Sequence, residues 1–190
     1  MHYIEPYWKW RDYYTAEEDE NSPFYGKEYS EFEFSDKIYN YYIHPQWDYF
    51  GSETLYLKLL YANYKRGAAI IEFIGEWNDL TQNDIMFLKR DFIDILLQNG
   101  IYKFVLIGEN ILEFFSDGNE YYEEWYEDIK EQGGWIIAMN FREHIVAEMQ
   151  QAEINRYVHI NERYDLENWR NYKPLHLINY LEELLIKVIS

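Results

Sequence analysis

From Ala68 onward, hydrophobic residues follow two different periods along the chain. Short apolar runs are typical of strands that are buried on both faces of a sheet. Three such runs occur at 69–74, 104–107 and 135–139. Between these runs, apolar residues recur at helical spacing. This predicts a helix capped by Thr81 or Asn83 and ended by Asn99-Gly100, and a second helix over about 119–132 that ends at Gly133-Gly134.

The second of these helices has Ser116 or Asp117 as its expected N-cap. A short amphipathic helix at 145–152 and a last strand at 157–160 follow it. A C-terminal helix begins near Pro174, and its apolar stripe consists of Leu177, Leu181, Leu184, Leu185 and Val188. Strands that alternate with helices in this way predict an α/β layer fold, with a mostly parallel central sheet and helices packed against it.

Residues 1–50 differ from the rest because aromatic and acidic residues alternate there without a sustained helical or strand period. We therefore expect an aromatic-rich N-terminal extension over 1–50 and an α/β domain over 51–190. The rings of the extension are expected to cover the main core or a partner subunit, as buried aromatic residues usually do. Within the extension, a strand at 37–43 is predicted to end at His44-Pro45.

Residues 52–67 allow two interpretations. Ser52 can cap a helix that carries leucines on one side and is terminated by Gly67. The same residues alternate well enough to form a strand that turns at Lys65-Arg66-Gly67. The pattern of hydrophobic positions leaves both interpretations open.

Charge and composition narrow the range of partners. The formal net charge is −18, from 35 acidic and 17 basic residues, so phosphate backbones and anionic lipid surfaces are repelled at long range. Neither nucleic acid nor a membrane is an expected partner. The absence of cysteine excludes disulfides and thiolate chemistry. With no signal-peptide pattern and no apolar run of membrane-spanning length, a soluble cytoplasmic protein is expected.

Motifs that carry catalysis are absent from the sequence. It has no Gly-rich phosphate loop, no dinucleotide fingerprint and no Gly-x-Ser-x-Gly elbow. The five histidines lack metal-ligand spacing; they are His2, His44, His144, His159 and His176. Acidic pairs such as Asp91 with Asp94 fall on the polar faces of predicted helices, where charge is ordinarily solvated. We expect a protein that is not an enzyme and that needs no cofactor or metal.

Several short motifs follow one another at the spacing of a known module. They are Gly75-Glu76 followed by Asp79, the strand start Phe104-Val105-Leu106, Ser116-Asp117-Gly118, the strand 136–140 ending in asparagine, and the short helix and turn at 145–156. Over residues 68–169 the chain thereby resembles a STAS domain, the module shared by sulfate transporters and antagonists of anti-sigma factors. The resemblance implies a STAS-like layer fold.

The same resemblance implies a site. In bacterial antagonists of this family, a serine of a Ser-Ser-Gly motif accepts phosphate from a kinase-type anti-sigma factor, and phosphorylation breaks the complex. Ser116 matches that position, which makes it the candidate phosphoacceptor. A partner-binding surface is expected beside it, formed by Gly75, Trp77, Asp79, Asp117, Gly118 and Asn119.

Three residues depart from the family pattern. Ile107 replaces the acidic residue at the end of the central strand, and Phe115 replaces the aspartate that usually precedes the serine. Asp117 places a fixed negative charge beside Ser116 and partly mimics a phosphate there. These departures favour a contact surface without a phosphoryl switch, on which Ser116 acts as an N-cap.

The leading hypothesis is a non-enzymatic regulatory module that binds another protein, with a kinase-type regulator among the candidate partners. One alternative is an α/β domain that binds a small ligand or a carbohydrate through N-terminal aromatics such as Trp8 and Trp10. A further alternative is a structural homo-oligomer in which the aromatic N-terminus packs on a neighbouring copy.

Overall fold

The computed structural model describes residues 3–189, which form a five-stranded central sheet and a small two-stranded hairpin. The strands are β1 (Lys37–Ile38), β2 (Tyr41–Tyr42), β3 (Leu55–Asn63), β4 (Ala68–Asn78), β5 (Lys103–Phe115), β6 (Trp135–Met139) and β7 (His159–Ile160). The central sheet has the order β3-β4-β5-β6-β7. Only β3 runs antiparallel to its neighbour, and all other pairs are parallel. The predicted α/β fold with a mostly parallel sheet is confirmed.

Helices connect the parallel strands, and a last helix follows β7. They are α1 (Asp79–Gln82), α2 (Asp84–Phe87), α3 (Asp94–Gln98), α4 (Glu120–Lys130), α5 (Glu143–Gln151) and α6 (Pro174–Ile189). A π-helical turn, Leu88–Ile93, makes one continuous helical segment of α2 and α3. The predicted helices at 119–132 and 145–152 and the C-terminal helix from Pro174 are confirmed. His2 and the side chain of Val188 lie outside the described residues.

Residues 52–67 form an edge strand and a turn. Strand β3 pairs with β4 in antiparallel fashion and turns into it at Gly67, whose φ of 61° suits glycine. The strand interpretation is therefore confirmed, and the helix interpretation is wrong. The physical reason is that β3 is covered on both faces, since every residue from Leu55 to Ala62 is buried. A bulge near Leu59 changes which side chains point to each face of the sheet.

The predicted strand at 37–43 is also wrong. The chain makes a tight hairpin there, with β1 and β2 paired through Lys37–Tyr42 and Ile38–Tyr41. Tyr39 lies at the turn in the left-handed region, with a φ of 55°. An alternating aromatic pattern does not distinguish one strand from a hairpin whose turn lacks glycine.

Strands β4 and β5 run well past their predicted ends. Residues 75–78 and 108–115, which follow the apolar runs at 69–74 and 104–107, are strand, and they pair with each other as far as Asn78 and Phe115. Strand β6 stops opposite Ile107, and β3 pairs with β4 only as far as Gly75, so the sheet narrows to three strands and then to two. Buried residues such as Phe114 alternate with polar ones along this extension, which resembles a loop in sequence but is a half-buried strand.

The two faces of the central sheet are covered differently. One face, which we call the helix-covered face, packs Ile71, Phe73 and Leu106 against the helical segment 84–98, α4 and α5. The other, which we call the strap-covered face, packs Ile70, Val105, Ile107 and Ile137 against α6 and the N-terminal residues. Alternating side chains of the same strands supply both cores.

The first N-terminal residues pack on the strap-covered face, whereas Ala16, Phe24 and Phe50 pack on the helix-covered face. Residues 3–14, which we call the N-terminal strap, place Trp10 in the core beside α6, and Ile43 and Trp47 form a smaller cluster around Ile74. Trp47 also ties the two segments together, since its indole N–H donates to the Ile4 carbonyl at 2.8 Å. Several rings of the extension therefore cover the sheet of their own chain, while the domain boundary at residue 50 stays a prediction.

Candidate functional site

The two segments expected to form a contact surface lie side by side at one end of the sheet. Asn78, the last residue of β4, pairs with Phe115, the last residue of β5, and α1 packs beside the end of β5. Two apolar side chains are left in solvent there: Leu80 is 57% exposed and Phe115 is 40% exposed. With the exposed Asp117 and Gly118 they form what we call the strand-end surface.

Ser116 lies at the edge of this surface and is half-buried. Its hydroxyl donates to Glu148 Oε1 at 3.2 Å, so it holds the strand end against α5. Helix α4 begins only at Glu120, with Asn119 as its N-cap residue, so the prediction of Ser116 or Asp117 as N-cap is wrong. The side chain of Asn119 donates to the Ala152 carbonyl at 3.0 Å instead of capping the helix.

Gly75, Trp77 and Asp79 lie inside the protein rather than on its surface. Gly75 has a φ of 118°, and a Cβ there would approach the Thr54 carbonyl oxygen to 2.1 Å. The prediction that these residues contribute to a contact surface is therefore corrected, since strand β4 continues to Asn78 and buries them. Asp117 and Gly118 are exposed as expected.

Asp79 is the centre of a buried hydrogen-bond network. Its Oδ1 accepts from the Trp77 indole N–H at 2.8 Å and from the Ile85 backbone N–H at 2.9 Å. Its Oδ2 accepts from the Tyr122 hydroxyl at 2.7 Å. Burial raises the pKa of Asp79 to about 7, against the opposing effect of these three donors. The network anchors β4, α2 and α4 to one another beneath the strand-end surface.

The exposed face of α4 that adjoins the strand-end surface is acidic. Its exposed carboxylate residues are Glu120, Glu123, Glu127 and Asp128. Lys130, near the end of the helix, forms an ion pair with Glu127. Asp128 pairs with the buried Lys89, and Arg90 pairs with Glu124, so the cations beneath the helix are engaged. Glu120 and Glu123, for which the described residues provide no ion pair, therefore give the surface beside Leu80 and Phe115 a negative charge.

Glu72 is a notable buried residue that the sequence analysis did not single out. It lies in the middle of β4 on the strap-covered face, is 1% exposed, and separates Ile70 from Ile74. Its Oε2 accepts from the Tyr7 backbone N–H at 2.9 Å, and Arg170 lies 3.9 Å from its Oε1. Burial raises its pKa to about 7. The only sequence signal was a single acid within an otherwise apolar strand.

A cluster of aromatic and charged groups closes over Glu72. The rings of Tyr7, Trp10 and Trp169 pack edge to face, with centroids 5.1 to 5.4 Å apart. Arg170 pairs with Glu109 as well as with Glu72, and its carbonyl accepts from the Tyr7 hydroxyl at 2.7 Å. The N-terminal strap is thus held by polar as well as apolar contacts.

Within residues 3–189, no three histidine or acidic side chains are grouped so that they could hold a metal ion. Over the same residues, no helix combines the length and the apolar character that crossing a bilayer requires.

A solved structure is similar to this chain. No protein-family model matches the chain, and no curated protein matches its sequence. The chain is similar to the anti-sigma factor antagonist SpoIIAA in its unphosphorylated form, with 14% identity and a TM-score of 0.45. The match covers 55% of this chain and 87% of that one.

Proposed function

We propose that this chain is a non-enzymatic regulatory module that binds another protein through its strand-end surface and the adjoining face of α4. One observation carries the proposal: the paired ends of β4 and β5 leave Leu80 and Phe115 exposed beside a row of carboxylates. An apolar centre with a charged border is the usual composition of a protein contact surface.

The negative charge of this surface favours a partner with a basic surface. A basic protein surface with an apolar centre would be attracted by the carboxylates of α4 and could bury Leu80 and Phe115. The net charge of −18 repels an acidic partner at long range. A kinase-type regulator, which the sequence resemblance suggests, is the first partner to test.

The proposed surface works without a phosphoryl switch at Ser116. The hydroxyl already donates to Glu148, and Asp117 and Glu120 follow closely in the chain. A phosphate at this position would face carboxylates, which disfavour it, and would not replace a capping group on α4. We expect Ser116→Ala to leave partner binding unchanged, and mass spectrometry of the chain from its native cells to find Ser116 unmodified.

The experiment is a quantitative affinity enrichment with the full chain and two matched variants. Phe115→Glu places a charge in the apolar centre, whereas Ile186→Glu changes another exposed apolar residue, on α6, outside the proposed surface. A partner captured by the wild type and by Ile186→Glu should be lost with Phe115→Glu. With that partner purified, we expect Phe115→Glu to weaken binding at least ~10-fold, about 1.4 kcal/mol.

Two results would contradict the proposal. Equal enrichment of every protein by Phe115→Glu and the wild type would show that the strand-end surface is not used. Binding to the purified partner that is insensitive to salt would show that the carboxylates of α4 do not contribute. Melting curves of both variants control for loss of the fold.

A further inference from the structure

A second surface feature lies between the β1–β2 hairpin and the start of α1. It is an open cleft of about 440 Å³. We call it the tyrosine cleft, and its principal lining residues are Tyr39, Tyr49, Tyr56, Glu53, Asn78 and Gln82. The cleft shares α1 with the strand-end surface but has a different composition. Among the described residues no aliphatic side chain lines it, and Lys37 balances the charge of Glu53.

The tyrosine rings are both exposed and fixed in place. Tyr39 is 61% exposed and Tyr49 is 53% exposed. The ring of Tyr49 packs on Tyr56, with centroids 5.9 Å apart, and the hydroxyl of Tyr39 donates to Glu76 on β4. Rigid aromatic rings in solvent supply contact area at little cost in conformational entropy.

Tyr39 adopts a backbone conformation that a bulky residue rarely takes. Its φ of 55° puts it in the left-handed region, at a cost of roughly 1–2 kcal/mol relative to glycine. Glycine or asparagine would relieve that strain, and Asn40 is the next residue in the same turn. Local strain of this kind concentrates where a side chain has a function. Here the strained residue places an aromatic ring on the wall of a cleft.

We propose that the tyrosine cleft binds a neutral oligosaccharide. The apolar face of a sugar ring packs on an exposed aromatic ring, and its hydroxyl groups need both donors and acceptors. Glu53, Asn78 and Gln82 supply such groups beside the rings of Tyr39 and Tyr49. The net charge of −18 disfavours an anionic ligand, and the lack of aliphatic lining disfavours an apolar one.

The test titrates the full chain with four neutral probes: maltohexaose, cellohexaose, xylohexaose and chitohexaose. We expect saturable binding of at least one probe, observed by isothermal calorimetry and by shifts of tyrosine resonances in NMR spectra. Tyr49→Ala should weaken that binding at least ~10-fold, because it removes one wall of the cleft. Tyr41→Ala is the matched control, since this exposed tyrosine lies in the same hairpin as Tyr39 but does not line the cleft.

Tyr39→Gly separates binding from folding. Glycine suits the left-handed turn, so the variant should keep the melting temperature of the wild type within a few degrees while losing at least ~10-fold in affinity for the probe. The proposal is overturned if no probe binds, or if binding survives both Tyr39→Gly and Tyr49→Ala. It is equally overturned if a proline-rich peptide, but no sugar, binds with this dependence on the tyrosines. None of these outcomes bears on the strand-end surface, which Phe115→Glu tests separately.

Discussion

The two faces of the central sheet are built from alternating residues of the same strands, yet they differ in chemistry. The helix-covered face buries hydrophobic side chains against helices that follow the strands directly. The strap-covered face contains the buried carboxylate of Glu72 and is closed partly by α6 and partly by irregular N-terminal chain. Both faces hold a buried carboxylate, but Asp79 lies at the start of α1, where three donors satisfy it, whereas Glu72 lies within β4 beneath the N-terminal strap.

This difference separates the global stability of the sheet from the local opening of the N-terminal strap. Helices that connect the strands cannot leave the helix-covered face without unfolding the sheet. The N-terminal strap has no strand pairing with the sheet in the described residues, and it is held by a few side chains around Trp10 and by the Tyr7 N–H bond to Glu72. Segments held in this way open locally at a lower free energy than the whole protein.

The largest effect is expected from Trp125→Ala on the helix-covered face. Trp125 is fully buried in α4 and packs edge to face on Phe104, with ring centroids 5.0 Å apart. Its removal leaves a cavity and should lower the free energy of unfolding by about 3–5 kcal/mol. Chemical denaturation followed by circular dichroism measures the loss.

The matched change on the other face is Trp10→Ala. Trp10 is also buried, and its indole N–H donates to the Tyr172 carbonyl at 2.9 Å. We expect a smaller loss of global stability than for Trp125→Ala, together with faster hydrogen exchange confined to the strap. Equal global losses, with no local change in exchange, would show that the strap unfolds with the sheet and would remove the distinction between the faces.

The next prediction concerns the pH dependence of stability in Glu72→Gln. The pKa of Glu72 is raised from 4.5 to about 7, so its contribution to stability is fully present below pH 4.5 and is lost as pH rises through 7. That difference in pKa corresponds to about 3 kcal/mol. Glutamine resembles the protonated acid, so the variant should match the wild type near pH 4.5 and be more stable than the wild type at pH 8.

Denaturant unfolding at a series of pH values measures this effect. Asp79, whose pKa is raised to about 7 by burial on the opposite side of β4, remains in the variant and keeps part of the pH dependence. Glu28→Gln, at an exposed position, serves as the control and should change nothing. If Glu72→Gln and the wild type lost stability in parallel from pH 5 to pH 8, Glu72 would not be the buried titrating group of the strap-covered face.

Sequence periodicity was sufficient for the regular helices on both faces, including α6, and insufficient for the N-terminal residues. The strands at 104–107 and 135–139 and the helices that cover them have clear periods and were predicted. The hairpin at Tyr39 and the strap have no period, because their residues are placed by individual contacts with a sheet that forms from distant residues. Tertiary contacts of this kind leave no local pattern.

The sequence predicted which two segments meet at the candidate site but not which of their residues are exposed. The motifs at 75–79 and 116–119 do meet at one end of the sheet. Which of their residues reach solvent depends on how far β4 and β5 continue, and the polar residues Glu109, Asn110 and Glu113 concealed that continuation. Leu80 and Phe115 become prominent only once the register of the strands is known.

The smallest effects are expected at Gly75 and Gly108, where neighbouring groups approach the backbone of the sheet closely. At Gly75, an added Cβ would meet the Thr54 carbonyl oxygen at 2.1 Å and Ile38, a member of the small cluster around Ile74, at 2.8 Å, in a backbone conformation that favours glycine. Gly75→Ala should cost about 2 kcal/mol. Gly108 has ordinary backbone geometry, and the atoms nearest to an added Cβ belong to the Phe141 side chain, at 2.4 Å, rather than to the backbone, so we expect Gly108→Ala to cost less, about 1 kcal/mol. Thermal unfolding compares the two, and a larger loss for Gly108→Ala would show that the helix-covered face is the less adaptable of the two.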